Sequence, residues 1–403
     1  MKPLQSSPIA VIVLAQLLGT SLWFSPNSAA ASLLREWGLT AAELGPLTSA
    51  TQFGFIAGTL LLATSGLADR FPASRIFALS CGGGALANAL FALTANGLAV
   101  GMAWRFLVGL ALAGIYPLGM KMIISWTQRN TGATLGLLVA MLTLGSALPH
   151  GVRAAGIGWP WETVVLTSSL LALLAGAVVY LLGEGPHLPA ARRRAIPWGS
   201  TLRVFLHPKF RASAFGYFGH MWELYAFWTL LPFLIAGVVR TATDSGPAAL
   251  TSALSFGIMG VMGAIGAVLA GAASERLGSP RVAALALVSS GLMCLLFPLV
   301  PHSLWVLQLA VLVIWGLTVV SDSAQFSATS AKVCPVHLVG GALALQNSLG
   351  FLISTVSINL VMASYDSLQA NVVWILLPGP LLGLLCFRPL LRTKAWTRAT
   401  AGR

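Results

Sequence analysis

The sequence predicts an all-α membrane protein whose twelve transmembrane helices form two six-helix bundles, and three observations predict it. Of the 403 residues, 57% are hydrophobic and 8% charged. Long apolar runs follow one another with only short polar breaks, and one longer polar stretch divides them six and six. A soluble domain carries roughly 25% charged residues, so this chain has too little charge to cover a water-facing surface. Its solvent is lipid.

About twenty apolar residues cross a bilayer. Runs of that length are cut wherever charges, Pro-Gly clusters or Asn and Asp turns interrupt them. The first run, 8–31, follows Lys2 and ends in Ser28-Ala29-Ala30-Ala31, which resembles a cleavable leader. It is long enough to cross by itself and another run follows at once, so it is read as a retained span. The second run, 43–68, stops at Asp69-Arg70, and the third, 75–95, starts after it. The fourth, 98–120, ends at Lys121; the fifth covers 131–152 and the sixth 160–183. Residues 1–183 thus form the N-terminal bundle. Residues 184–212, with Arg192-Arg193-Arg194, read as a cytoplasmic linker. The C-terminal bundle, 213–390, repeats the pattern with spans at 213–239, 248–273, 280–300, 303–328, 337–363 and 369–390. A basic tail occupies 391–403.

The net charge of +13 is mostly topology. Nineteen of the 23 Lys and Arg residues fall on the side of the N-terminus: Lys2, Arg70, Arg75, Lys121, Arg129, six in the linker, Arg276, Arg281, Lys332 and five from Arg388 onward. Arg35, Arg153 and Arg240 fall opposite, and Arg105 lies within a span. By the positive-inside rule both termini are cytoplasmic in an inner, plasma-type membrane. The excess of basic residues is then no nucleic-acid footprint, and lipid and a small solute are the expected partners of a monomer. The cysteines Cys81, Cys294, Cys334 and Cys386 have neither Cys-x-x-Cys nor His-paired spacing and read as packing residues. No metal or cofactor is expected.

The halves repeat. At an offset of 206 residues Pro26 meets Pro232, Gly54 meets Gly260, Asp69-Arg70 meets Glu275-Arg276, and Arg75 meets Arg281. At 205, Gly136 meets Gly341 and Gly145 meets Gly350. An acid-Arg turn after the second span of each half indicates two related bundles.

The segment Ser65-Gly66-Leu67-Ala68-Asp69-Arg70-Phe71-Pro72-Ala73-Ser74-Arg75 resembles the loop signature of the major facilitator superfamily. Its second copy runs from Gly271 through Glu275-Arg276 to Arg281. Ser65 and Pro72 stand where the signature has glycines. Asp69, Arg70, Arg75, Glu275, Arg276 and Arg281 are either gating loops, tying bundle to bundle in an ion pair that opens and closes, or plain solvated turns. Arg105-x3-Gly109-x3-Ala113 resembles the family signature whose Arg is associated with proton or substrate coupling; the plain role is hydrogen bonding to carbonyls of a broken helix. Gly136-x8-Gly145-x3-Pro149 is similar, in part, to the family's antiporter pattern. The resemblance covers the whole chain and implies alternating access about a midplane site.

Ionisable residues inside spans are functional candidates by default. Glu223 and His220, three residues apart, share one face of the seventh span. A carboxyl there can load and release a proton that the imidazole shares; alternatively it is a neutral packing group. Asp322 in the tenth span and Lys121 in the fourth either meet across a closed cytoplasmic mouth or separately cap a helix and snorkel. His150 and Arg153 mark the outer end of the fifth span. Trp222, Tyr225, Phe227 and Trp228 surround Glu223 and either line a cavity for an aromatic substrate or pack in the core. Many cation exporters of the superfamily this chain resembles carry a carboxylate in the first span; here that span has no charge, which the resemblance takes as an argument against a cationic drug as the dedicated substrate.

These residues predict a secondary transporter driven by protons, with Glu223 as protonation site and Arg105 as its charge partner or substrate clamp. Efflux by exchange follows from the partial antiporter pattern, and uptake of a small organic anion is the alternative. A membrane sensor or enzyme is the reading from another class. No clustered His, Asp or Cys constellation suits an enzyme, and no Gly-x4-Gly-Lys-Ser/Thr run suits an ATP-driven pump.

Overall fold

A computed structural model describes residues 7–127, 131–156, 158–187, 198–243, 246–335 and 338–391. Lys2, Arg129, Arg192, Arg193, Arg194, the tail beyond Leu391 and the side chain of Asp69 lie outside the described residues.

Among the described residues the regular elements are helices. Ten segments are long and apolar enough to cross a membrane. The last, Val339–Leu391, contains a helix Val339–Leu368, a 3-10 run Gln369–Leu376 and a helix Pro378–Leu391. The first apolar run is interrupted and falls into Pro8–Thr20, Ser25–Ser28 and Ala30–Glu36. This organisation is consistent with twelve spans. The linker is shorter than the sequence suggested: it holds a helix Trp198–Val204, and the seventh span, Pro208–Thr243, begins inside the stretch read as polar.

The breaks have local causes. Proline has no N–H and its ring disfavours helix in the residue before it. Pro26 and Pro117 accordingly open new helical segments just after the chain leaves helix at Thr20 and Leu112. The fourth span is Leu98–Leu112 followed by Tyr116–Trp126, of 15 and 11 residues. The tenth is Trp305–Val319 followed by Ser323–Val333, again of 15 and 11 residues, 207 positions later.

The same register governs packing. A Cβ on Gly109 would sit 2.0 Å from the Thr51 carbonyl oxygen, and one on Gly316 would sit 2.4 Å from that of Ile258. Each pair is thus joined, backbone against backbone, through a glycine 207 residues from its counterpart. The pairing of Gly54 with Gly260 at 206 therefore misses the packing register of these spans by one residue.

The bundles meet along two pairs of spans: the second, Ala41–Ser65, against the eleventh, and the fifth, Thr131–Ala155, against the eighth, Ala248–Leu277. At the first crossing Gly45 admits Asn359, whose Nδ2 donates to Ser49 Oγ at 2.8 Å. At the second, small residues interleave, with Gly260 against Ala147 and Gly263 against Thr143.

Among the described residues, which leave out the Asp69 side chain, no ion pair joins the bundles at the acid-Arg turns. Arg70, Arg75, Glu275, Arg276 and Arg281 are all exposed, and among the described residues none of them makes a salt bridge. Instead the first turn is fastened within its own half. Lys121 Nζ donates to the Ala68 carbonyl, and Glu184 accepts from the Ala73 N–H that opens the third span, Ala73–Thr94. Gly185 and His187 bond Ser125 at the end of the fourth span.

Candidate functional site

The interior of the first half is organised by one cation. Arg105 is 1% exposed. Its Nη2 donates to the Leu22 and Trp23 carbonyls at 3.0 and 2.6 Å, where the first span is unwound. Nη1 donates to Asn88 Oδ1 at 2.9 Å and to Ser25 Oγ at 3.5 Å, and Nε to Thr51 Oγ1 at 3.1 Å. Asn88 is fixed by its own donation to the Val165 carbonyl and Ser169 Oγ. A buried guanidinium is tolerable when its donors are matched by acceptors that disperse its charge. Here neutral groups do so, and no carboxylate takes part among the described residues. Glu223 is not its partner.

The acids lie in the other half. Glu223, 1% exposed, accepts from Trp315 Nε1 at 2.7 Å on one oxygen and from Ser290 Oγ at 2.9 Å on the other. The Trp315 ring is itself held by stacking on Phe227, with centroids 4.3 Å apart. One turn earlier, His220 Nδ1 lies 2.7 Å from Asp322 Oδ1, both side chains buried. Asp322 sits in the tenth-span break at the helix-capping position, yet its carboxylate makes no cap bond and serves His220. The expected meeting of Asp322 with Lys121 does not occur; Lys121 reaches the Ala68 carbonyl instead. His220 and Glu223 do share a face, as their spacing requires, but each has its own partners.

Aromatic rings join the halves at mid-depth. Trp23, Phe24 and Phe55 from the first half meet Tyr225, Trp228 and Phe351 from the second, with Phe55 and Phe351 4.5 Å apart and Trp23 and Tyr225 stacked at 5.8 Å. All six are buried. Beside them lies an enclosed cavity of about 40 Å³. Its walls are Tyr116 of the fourth span, Val139, Leu142 and Thr143 of the fifth, and Tyr217, Met221, Leu224, Tyr225 and Trp228 of the seventh. Val320, Ser323, Ser327, Asn347 and Phe351 complete it from the tenth and eleventh. No charged side chain lines it.

Sequence reasoning named Tyr225 and Trp228 as cavity candidates and missed Tyr116, Tyr217, Asn347 and Phe351, together with the Glu223 partners Trp315 and Ser290. A usable signal was present only for Trp315: tyrosine and tryptophan favour membrane interfaces, and Trp315 stands well inside its predicted span, whereas Tyr116 and Tyr217 lie close to predicted span ends and pass for interfacial residues. His150, by contrast, is buried with no ring Nε2 partner, and Arg153 binds the Trp159 carbonyl and Ser32 Oγ away from the cavity.

Comparisons with known proteins agree on the fold. Two solved structures superpose with a TM-score of 0.70: a variant of the nucleoside transporter NupG and an inward-facing, unoccupied bacterial homologue of the human lysosomal transporter Spinster. The first shares 14% identity and covers 95% of this chain and 98% of its own; the second shares 15% and covers 100% and 98%. Local sequence relatives are the niacin transporter NiaP of Acinetobacter baylyi, at 29% identity over 39% of this chain, and the gallate transporter of Pseudomonas putida, at 29% over 41%. The 4-hydroxybenzoate transporter PcaK of Pseudomonas putida matches at 30% over 41%. The aligned segments span only 36%, 36% and 37% of those three proteins. The family model of the Major Facilitator Superfamily matches residues 12–358. With that match running through both halves and the broken, paired spans beneath it, the chain belongs to the major facilitator superfamily and has the fold of a multi-pass membrane protein.

Proposed function

We propose that this protein is a proton-coupled importer of a small aromatic carboxylate, working by alternating access as a monomer in the cytoplasmic membrane with both termini inside. The observation that carries the proposal is the uncharged, aromatic-walled lining shared by the two halves, closed in this conformation to a space of about 40 Å³, together with two buried acids in the second half, Glu223 on the seventh span and Asp322 on the tenth, paired with His220. Niacin, gallate and 4-hydroxybenzoate, named for the three local relatives, are all small aromatic acids, which supports the substrate class. The 19-to-3 distribution of basic residues supports the orientation.

Direction follows from energetics. An inside-negative membrane opposes entry of one negative charge by about 2.3 kcal/mol per 100 mV. Inward accumulation of an anion therefore needs a compensating charge, whereas exit does not, and protons are the cations that buried carboxylates are suited to carry. Glu223 is the first proton site and the His220–Asp322 pair the second; Arg105 maintains the broken first span that carries Trp23. Efflux rested on Gly136 and Gly145. Packing explains Gly145, since a Cβ there would lie 2.2 Å from the Leu17 carbonyl oxygen, and Gly136 has nothing within 4 Å.

The test is uptake of labelled nicotinate and 4-hydroxybenzoate into proteoliposomes with an imposed pH gradient, comparing wild type with Glu223→Gln. Wild type should accumulate at least one acid only when the outside is acidic. The variant should lose accumulation yet retain exchange of internal for external substrate. Accumulation that survives Glu223→Gln unchanged removes Glu223 from the mechanism.

A further inference from the structure

We propose that Tyr116, Tyr217 and Tyr225 are the carboxylate clamp of this transporter, so that the anion is held by neutral hydroxyls contributed from both halves and by no basic residue. The proposal rests on the reading of the cavity as the substrate site.

The obvious anion partner is already occupied. A guanidinium has five N–H donors, and Arg105 directs Nε to one acceptor, Nη1 to two and Nη2 to two, all within the protein. Lys121 is engaged at the Ala68 carbonyl, and neither cation lines the cavity. An anion in the cavity must find its donors elsewhere.

The phenols provide them. The chain has five tyrosines, and three line this one cavity. Tyr217 and Tyr225 are each 5% exposed, and among the described residues no protein group hydrogen-bonds any of the three hydroxyls. Trp228, also in the wall, has a buried Nε1–H with no acceptor. Buried polar groups are nearly always paired, so the Trp228 indole is a donor left for something in the cavity, and the three hydroxyls, which remain accessible, can donate to the same acceptor atoms. Position adds a second reason. Tyr116 opens the second segment of the broken fourth span, while Tyr217 and Tyr225 are two turns apart on the unbroken seventh. An acceptor bridging Tyr116 to either of the others therefore links the two halves, coupling occupancy to their relative position.

Tyr→Phe removes one oxygen and keeps the ring, and here that oxygen has no protein partner, so folding should be untouched. Binding of nicotinate and of 4-hydroxybenzoate to purified protein is measured by calorimetry for wild type, Tyr116→Phe, Tyr217→Phe and Tyr225→Phe, alongside thermal unfolding. A hydrogen bond to a charged group is worth enough to weaken binding by about tenfold or more when lost. At least two variants should show that loss with unchanged melting temperatures. Wild-type binding with undiminished affinity in all three variants overturns the clamp alone. Weakened binding together with lower melting temperatures also overturns it, because the hydroxyls would then be holding the fold. Failure of wild type to bind either acid overturns the proposed function, and the clamp with it.

Discussion

At the scale of single residues, partner geometry separates two kinds of buried charge. Arg105 has every donor matched by neutral acceptors, an arrangement suited to permanence. Glu223 has one donor on each oxygen and both come from side chains, Trp315 and Ser290, which can turn away. Trp315→Phe leaves a buried carboxylate oxygen unpaired while preserving most of the stacking on Phe227. It should destabilise the protein by about 1–3 kcal/mol, read as a fall in the unfolding temperature in detergent. Arg105→Lys removes the planar fork that reaches two carbonyls and Asn88 together. Its unfolding temperature should fall further than that of Lys121→Arg, whose side chain bonds a single carbonyl at a turn; equal losses would refute the clasp. The sequence displayed Arg105, His220 and Glu223 because charge inside a span is conspicuous. It concealed that Asp322 belongs to His220, since residues about a hundred positions apart meet only through helix packing.

At the scale of elements, lengths and boundaries of most spans were legible because a lipid solvent imposes a long uninterrupted apolar run. Interior breaks were less so, because residues 21–24 and 113–115 are as apolar or small as their surroundings, and at 320–322 only Asp322, read either as a gate charge or as a helix cap, pointed to one. Pro26 and Pro117 signalled two of the breaks; the tenth span has no proline at its own. Glycine contacts were also only half visible: the residues could be counted, but not which carbonyl each one faces. Gly109→Ala and Gly316→Ala place a methyl against backbone in equivalent positions. Each should destabilise by about 1–3 kcal/mol, and by similar amounts, when unfolding is followed by circular dichroism. A large effect in one half and none in the other would contradict the 207-residue register.

At the scale of the whole molecule, the two halves touch along two helix pairs and an aromatic layer, and the Asn359–Ser49 bond ties one end of the second and eleventh spans. The alternating access proposed above would require that bond to break in each cycle. Cysteines replacing both residues should therefore oxidise to a disulfide that stops transport, with recovery on reduction; transport undiminished in fully crosslinked protein would exclude separation there. The twofold organisation was legible from the repeated acid-Arg turn, but the seam between halves was not. Asn359 and Ser49 carry no charge and no motif, and their meeting depends on Gly45 allowing close approach.

The absence of ions from the cavity wall has a consequence for how the molecule responds to its medium. Dissolved salt screens exposed charges over a Debye length of about 8 Å at physiological ionic strength, and it can weaken only those attractions that pass through water. Arg70, Arg75, Arg276 and Arg281 are exposed at turns between spans and, on the proposed orientation, face water where they can draw anions, so raising potassium chloride should slow the arrival of anions there. Neutral hydroxyls enclosed between the halves offer the dissolved ions nothing to screen, and equilibrium affinity should stay level over the same titration.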